Sequence, residues 1–175
     1  MDLNAACAGF VYRNSFINYH LGSDGRGAHH IYRTGLSKKI NDIALIDSQL
    51  LVQNGKEVMR WVVRTVPHAI QQLLDKAKIQ MSDVNWFIPH SANLRIIEPI
   101  CEKINYPMEQ TLYSLTNFAN TSAASISLAL DLGIRDGKVR NGDRVLMYGF
   151  GAGLVHAGQI VDVHFDNQVN DPTPL

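Results

Sequence analysis

Between Ser82 and Gly137 the chain passes twice through one cycle: a short apolar segment, a polar loop, then a segment with helical periodicity. In the first pass Ser82-Asp83-Val84 leads to the apolar stretch Trp86 to Ile88, the loop Pro89-His90-Ser91 and a helical pattern from Asn93 to Lys103. In the second, Thr111 to Leu115 reads as a strand, Asn117 to Ser122 as its loop and Ala123 to Gly137 as an alanine-rich helix. Neither a lone strand nor a lone helix can bury its apolar face. The economical packing is helices laid over a mixed sheet, so an α/β layered domain is expected. Loops at corresponding strand ends then meet at one edge of the sheet, and His90 and Asn120 lie in such loops.

The flanks fit the same architecture. Ser15 to Leu21 alternates like a strand and runs into Gly22-Ser23-Asp24-Gly25-Arg26-Gly27, which predicts an exposed loop to about Asn41. From Asp47 to Lys78, apolar residues including Leu50, Leu51, Val58, Trp61, Val62 and Val66 recur at helical spacing. A long amphipathic helix is expected there, bent or broken near Pro67. After the turn signal Asn141-Gly142-Asp143 come a buried-type strand, Arg144 to Tyr148, the run Gly149-Phe150-Gly151-Ala152-Gly153, and an alternating strand, Leu154 to Val163. The tail from Asn167 to Leu175 is polar and reads as frayed.

Composition narrows the functional classes. At 175 residues and 46% apolar, the chain has material for one sizeable core. Sixteen basic residues balance sixteen acidic ones, so no overall field draws nucleic acid or an anionic membrane, and an anionic partner must meet a local patch. Cys7 and Cys101 sit in settings that suggest no disulfide framework, which makes a reducing, cytoplasmic setting the default. The first residues lack the basic region of a secretion signal, and no apolar run reaches the length of a membrane span.

Three residues have chemistry to offer. Cys7 lies among small residues in Asn4-Ala5-Ala6-Cys7-Ala8-Gly9-Phe10, where a thiolate nucleophile would need a helix N-terminus or an imidazole beside it; an inert core cysteine is the plainer reading. His90 follows a strand and a proline, and a loop histidine bonded to backbone is its plainer reading. Asn120, in Asn120-Thr121-Ser122 ahead of a helix, has an ordinary capping pattern. The glycine run is followed by a strand pattern rather than the helix N-terminus that a pyrophosphate needs, so it reads as a hairpin whose bare N–H groups could hold an oxyanion.

Together these segments resemble the β-ketoacyl-acyl carrier protein synthase III family. Asp2-Leu3-Asn4-Ala5-Ala6-Cys7-Ala8-Gly9-Phe10 resembles its nucleophile segment and Pro89-His90-Ser91-Ala92-Asn93-Leu94-Arg95 its histidine motif. Asn120-Thr121-Ser122-Ala123-Ala124-Ser125 resembles its asparagine motif, Phe150-Gly151-Ala152-Gly153 its closing glycine loop, and Val52 to Val58 matches as well, as in the synthases of Gram-positive bacilli. A histidine followed by an asparagine fits synthase III, or the plant-type polyketide synthases that share the triad.

The resemblance implies the C-terminal half of a thiolase-like fold and condensation of acyl-CoA with malonyl-acyl carrier protein in fatty acid biosynthesis, with Cys7, His90 and Asn120 catalytic. It further implies backbone oxyanion donors at Cys7 and Ala152, pantetheine contacts at Asn93 and Gly55, and a carrier-protein patch at Arg95 and Arg60. No cofactor or metal is implied, and the intact enzyme is expected to be a homodimer.

The sequence departs from the family, whose N-terminal half before the cysteine segment is not matched here and whose course after that segment is longer. After the position of Tyr12 the family continues through a long helix, a strand and a glycine-rich segment before the strand that Ser15 to Leu21 resembles, whereas this chain passes to Ser15 to Leu21 directly. A truncated or disrupted gene, an engineered fragment, or a sequence closed up over missing residues would each account for that. The expected organisation is a nucleophile remnant at 1–13, a thiolase-like unit at 14–166 and a tail at 167–175. With its helix cut to about one turn, Cys7 is expected to be a poor nucleophile and the chain alone to have little or no condensing activity. The alternative is an inactive fragment that keeps a carrier-protein-binding or assembly surface.

Overall fold

The computed structural model describes residues 15–165 except 34 and 36. Its centre is a four-stranded mixed sheet in the order β1 (Phe16–Ser23), β8 (Val155–Asp162), β7 (Arg144–Gly151), β6 (Trp86–Pro89). β6 and β7 are parallel, while β8 is antiparallel to both β7 and β1. Two small ribbons stand apart, β2 (Ile31–Arg33) with β5 (Leu51–Gln53) and β3 (Lys39–Ile40) with β4 (Ile43–Ala44).

Period-two alternation divides the central strands between two cores. Phe87, Leu146, Tyr148 and Ile160 point to the side of helix α1 (Gly55–Ala77) and helix α2 (Leu94–Lys103). Ile88, Val145 and Val163 point to the opposite side, where helix α4 (Ser125–Arg135) contributes Ala129 and Leu130. The result is the expected layering of helices over a mixed sheet. Burial of large side chains such as Val62, Ile70 and Leu73 on α1 stabilises it by roughly 1.5–3 kcal/mol each.

Four details differ from the sequence expectation. The stretch after β1 is not open loop to Asn41: a 3-10 turn (Gly25–His30) leads to β2, and β5 pairs with β2. The long helix starts at Gly55 rather than Asp47, because Asn54 caps it through its side-chain oxygen and Leu51 is already paired in the ribbon with Arg33. Leu50 and Leu51 are accordingly 70% and 63% exposed. The same helix also runs unbroken through Pro67: the Val63 carbonyl, four residues earlier, would be left bare by a residue with no N–H, and it accepts a hydrogen bond from Lys103 Nζ at 3.1 Å.

The fourth difference concerns Thr111 to Leu115, which is not a strand. Only Thr111 bridges to the sheet, in parallel with Phe87. The chain then turns at Ser114 into the short helix α3 (Leu115–Phe118), a 3-10 turn follows at Ser122–Ala124, and α4 begins at Ser125. Its segment nevertheless runs beside β6 in the same direction, so the loop after it leaves from the same sheet edge as the loop after β6.

Candidate active site

His90 is the first residue beyond β6, and its N–H donates to the Tyr148 carbonyl on parallel β7 at 2.8 Å. That pairing sets the carboxyl ends of β6 and β7 side by side. Two residues past Tyr148, the Phe150 ring meets the His90 ring edge to face, with centroids 5.3 Å apart. On its other flank His90 Nδ1 shares a 2.6 Å hydrogen bond with the Ser125 hydroxyl at the head of α4. The imidazole is half-buried, and that burial lowers its pKa below the ordinary value of 6.5. At neutral pH it is an uncharged ring with one donor and one acceptor nitrogen.

Asn120 lies in the loop between α3 and α4 and is exposed. Its Oδ1 accepts the Ser122 N–H at 2.9 Å, which identifies that atom as the oxygen, since a backbone N–H needs an acceptor. The –NH₂ group has no partner among the described residues and stands free to donate. The loop holding it is strained: Ala119 has φ 55° and ψ −151°, and Ser122 has φ 56°. Both are conformations that side-chain-bearing residues rarely adopt.

The hairpin between β7 and β8 brings Gly151, Ala152 and Gly153 just past Phe150. Ala152 is exposed, and its N–H has no acceptor among the described residues. The far side of the hairpin is anchored by a reciprocal pair of backbone hydrogen bonds between Leu154 and Asp24, at 2.7 and 3.1 Å. Gly153, with φ +140°, would set a Cβ 2.6 Å from Val155 Cγ1 and must stay glycine.

The remaining expected residues occupy ordinary positions. Asn93 is the N-cap of α2, its Oδ1 accepting the Arg95 N–H at 2.9 Å, and Arg95 itself is exposed. Gly55 is the exposed first residue of α1, with open space where a Cβ would stand. Arg60 is ion-paired with Glu57 on the same helix face, the solvated arrangement typical of a surface charge. Cys7 lies outside the described residues. Among the described residues no group of three His, Cys, Asp or Glu could hold a metal ion, and no helix is long and apolar enough to cross a membrane.

Sequence reasoning gave no role to Ser125 or to Phe150. Ser125 closes the Asn-Thr-Ser-Ala-Ala-Ser motif but reads as one more small residue in an alanine-rich helix. Only the three-dimensional meeting of the two loops reveals its contact with His90.

Comparison with known proteins matches these features to one family. The profile described as 3-Oxoacyl-[acyl-carrier-protein (ACP)] synthase III C terminal matches residues 74–163. Beta-ketoacyl-[acyl-carrier-protein] synthase III 2 of Halalkalibacterium halodurans is 52% identical over 84% of this chain and 44% of the relative; that of Bacillus anthracis is 54% identical over 85% and 45%. The solved synthase III of Thermus thermophilus superposes with a TM-score of 0.82 at 34% identity, covering 90% of this chain and 49% of that one. The synthase III of Pseudomonas aeruginosa gives 0.76 at 29% identity, covering 85% and 44%. This chain spans about half the length of the relatives it matches. With that family match, the high identity to synthases of bacilli and the thiolase-like layered fold, the chain belongs to the 3-oxoacyl-acyl-carrier-protein synthase III family, of which it represents the C-terminal part.

Proposed function

We propose that this chain carries the carbanion-forming part of a condensing site, and that in a protein of its relatives' length it joins acyl-CoA to malonyl-acyl carrier protein in fatty acid biosynthesis. One observation carries the reading. His90 and Asn120 each have one polar atom engaged by the protein, Nδ1 by Ser125 and Oδ1 by Ser122, which leaves His90 Nε2 and the Asn120 amide for a substrate oxygen.

The chemistry follows in three steps. The Cys7 thiolate attacks the acyl-CoA carbonyl, with the oxyanion held by the N–H groups of Cys7 and Ala152, and coenzyme A leaves as its thiolate. Malonyl-carrier protein then loses carbon dioxide: the carbon–carbon bond breaks and its electron pair moves onto the thioester oxygen, which His90 Nε2–H and the Asn120 amide stabilise as an enolate. The enolate carbon attacks the acyl-Cys7 carbonyl, releases the Cys7 thiolate and yields β-ketoacyl-carrier protein. No cofactor is needed for any step.

The other assignments belong to the same proposal. Asn93 and Gly55, at the N-termini of α2 and α1, border the path of the pantetheine arm, and exposed Arg95 with Arg60 meets the acidic carrier protein. Residues 1–13 supply the nucleophile segment, 14–166 the thiolase-like unit and 167–175 a tail. Phe16, Tyr19, Leu21 and Val155 form an apolar surface along β1 and the start of β8, 44–65% exposed, suited to burial in a homodimeric assembly in the cytoplasm. The inactive-fragment alternative draws on the chain's spanning about half the length of its relatives.

The test follows acyl transfer and product together. Incubation with acyl-CoA and malonyl-carrier protein should give a mass increase on Cys7 and β-ketoacyl-carrier protein in a protein of full family length bearing this half. A carrier protein recovered unchanged in mass would reject the assignment.

A further inference from the structure

Three serines lie fully buried behind His90: Ser91, Ser114 and Ser125, each 0% exposed. Their hydrogen bonds interlock. The Ser114 N–H donates to Ser91 Oγ at 3.0 Å, the Ser114 hydroxyl donates to the Ser125 carbonyl at 3.1 Å, and the Ser91 N–H donates to Ser125 Oγ at 3.2 Å. Ser125 Oγ has therefore already accepted one hydrogen bond, and its own proton needs an acceptor. A buried hydroxyl without one is costly, and native interiors avoid it.

The remaining partner of Ser125 Oγ is His90 Nδ1, at 2.6 Å. That separation is shorter than the ~2.9 Å at which N–H donors usually sit and matches a hydroxyl donor. If the ring instead carried its proton on Nδ1, both hydrogens would compete for one short contact and the Ser125 proton would have nowhere to go. With the hydroxyl donating, Nδ1 keeps its lone pair and the ring proton resides on Nε2.

We propose that Ser125 is a positioning residue that holds His90 as the neutral Nε2–H tautomer, so that Nε2 is a standing N–H donor before any substrate arrives. The significance of that donor rests on the condensation reading above, but the tautomer does not. Burial of the ring, which disfavours the imidazolium, acts in the same direction by keeping the proton count at one.

The experiment is a two-bond proton–nitrogen NMR correlation on the chain labelled with ¹⁵N-histidine, recorded near pH 8, with His90 assigned by the signals lost in His90→Asn. The expected pattern has a protonated Nε2 and a lone-pair Nδ1. A proton on Nδ1, or an even mixture, overturns the proposal.

In Ser125→Ala the ratio of Nε2–H to Nδ1–H should fall roughly 2- to 10-fold, while Ser125→Thr, which keeps the hydroxyl, should preserve it. An unchanged ratio in Ser125→Ala also overturns it. That substitution strips the Ser91 N–H of its acceptor as well and lowers stability; if it does not fold, the wild-type spectrum decides alone. Because the readout involves neither acyl transfer nor carbon dioxide release, its failure is distinguishable from failure of the condensation reading.

Discussion

The Asn120 side chain is fixed by the residue two places along the chain: its oxygen accepts the Ser122 N–H at 2.9 Å. An amide held at its oxygen is restricted in where it presents its nitrogen, and donors oriented before the reaction need less reorganisation as charge develops. The loop is held in this form against a conformational cost, since Ala119 and Ser122 both have positive φ. Strain of this kind persists where the surrounding structure over-determines it and collects at functional sites.

That strain has a measurable size. At φ 55° and ψ −151° Ala119 lies close to a region open in practice only to glycine. Relieving it is worth about 1–3 kcal/mol, against the 0.5–1 kcal/mol or so that glycine loses in flexibility. Ala119→Gly should therefore raise stability by about 1 kcal/mol, a rise of roughly 2–4 °C in melting temperature. A lowered melting temperature would mean that the strain is not there.

Gly158 on β8 sits opposite Tyr148 on β7, and a Cβ at that position would be 2.2 Å from the tyrosine ring. Tyr148 is fully buried and shares a 2.7 Å hydrogen bond with the almost fully buried His156, so it has no room to yield. Gly158→Ala should cost about 1–3 kcal/mol or more, read as a lowered urea midpoint. Gly151→Ala meets no atom within 4 Å and serves as the contrast, with little change in midpoint expected.

Stability should fall on mild acidification. Burial lowers the pKa of both His90 and His156 below 6.5, and His20 adds charge repulsion at His156. Unfolded, both imidazoles bind a proton near pH 6.5. Between the folded and unfolded values the folded chain holds fewer protons, so this stability is present above about 6.5 and is lost progressively as pH falls below it and through the lower folded values. Thermal melts should be level above about pH 7.5 and drop steadily toward pH 5. His156→Gln should flatten that slope; an identical slope in the variant would show that His156 is not a contributor.

Much of this was legible in the sequence because the chemistry-bearing residues sit where local rules are strong. Asn93 caps a helix, Gly142 turns the chain from α4 into β7 and Trp86 to Ile88 is continuously apolar, so β6, α2, β7 and β8 follow from pattern alone. The errors came where tertiary contacts overrode local pattern. Leu50 and Leu51 continue a helical spacing that the Asn54 cap cuts off, and Pro67 stays inside a helix because Lys103 supplies a donor to Val63. Thr111 to Leu115 has strand composition, yet its buried hydroxyls are committed to other partners: Thr111 Oγ1 to the Pro107 carbonyl and Ser114 Oγ to the Ser125 carbonyl. The link between His90 and Ser125 joins residues 35 apart and depends on two loops leaving one sheet edge, which no local pattern records.

The central claim is that His90 and Asn120 together hold the enolate formed from a malonyl thioester. Its most direct test is the release of labelled carbon dioxide from malonyl-carrier protein by the 175-residue chain, because that half-reaction calls on the two donors and not on the Cys7 thiolate. Release should exceed the uncatalysed rate, and His90→Ala and Asn120→Asp should each reduce it by roughly a hundredfold or more, the usual cost of losing one such donor. Asn120→Asp replaces an N–H donor with a carboxylate that repels the developing charge, so it should be the more damaging of the two. Release no faster than in buffer, or equal release by all three proteins, would contradict the claim.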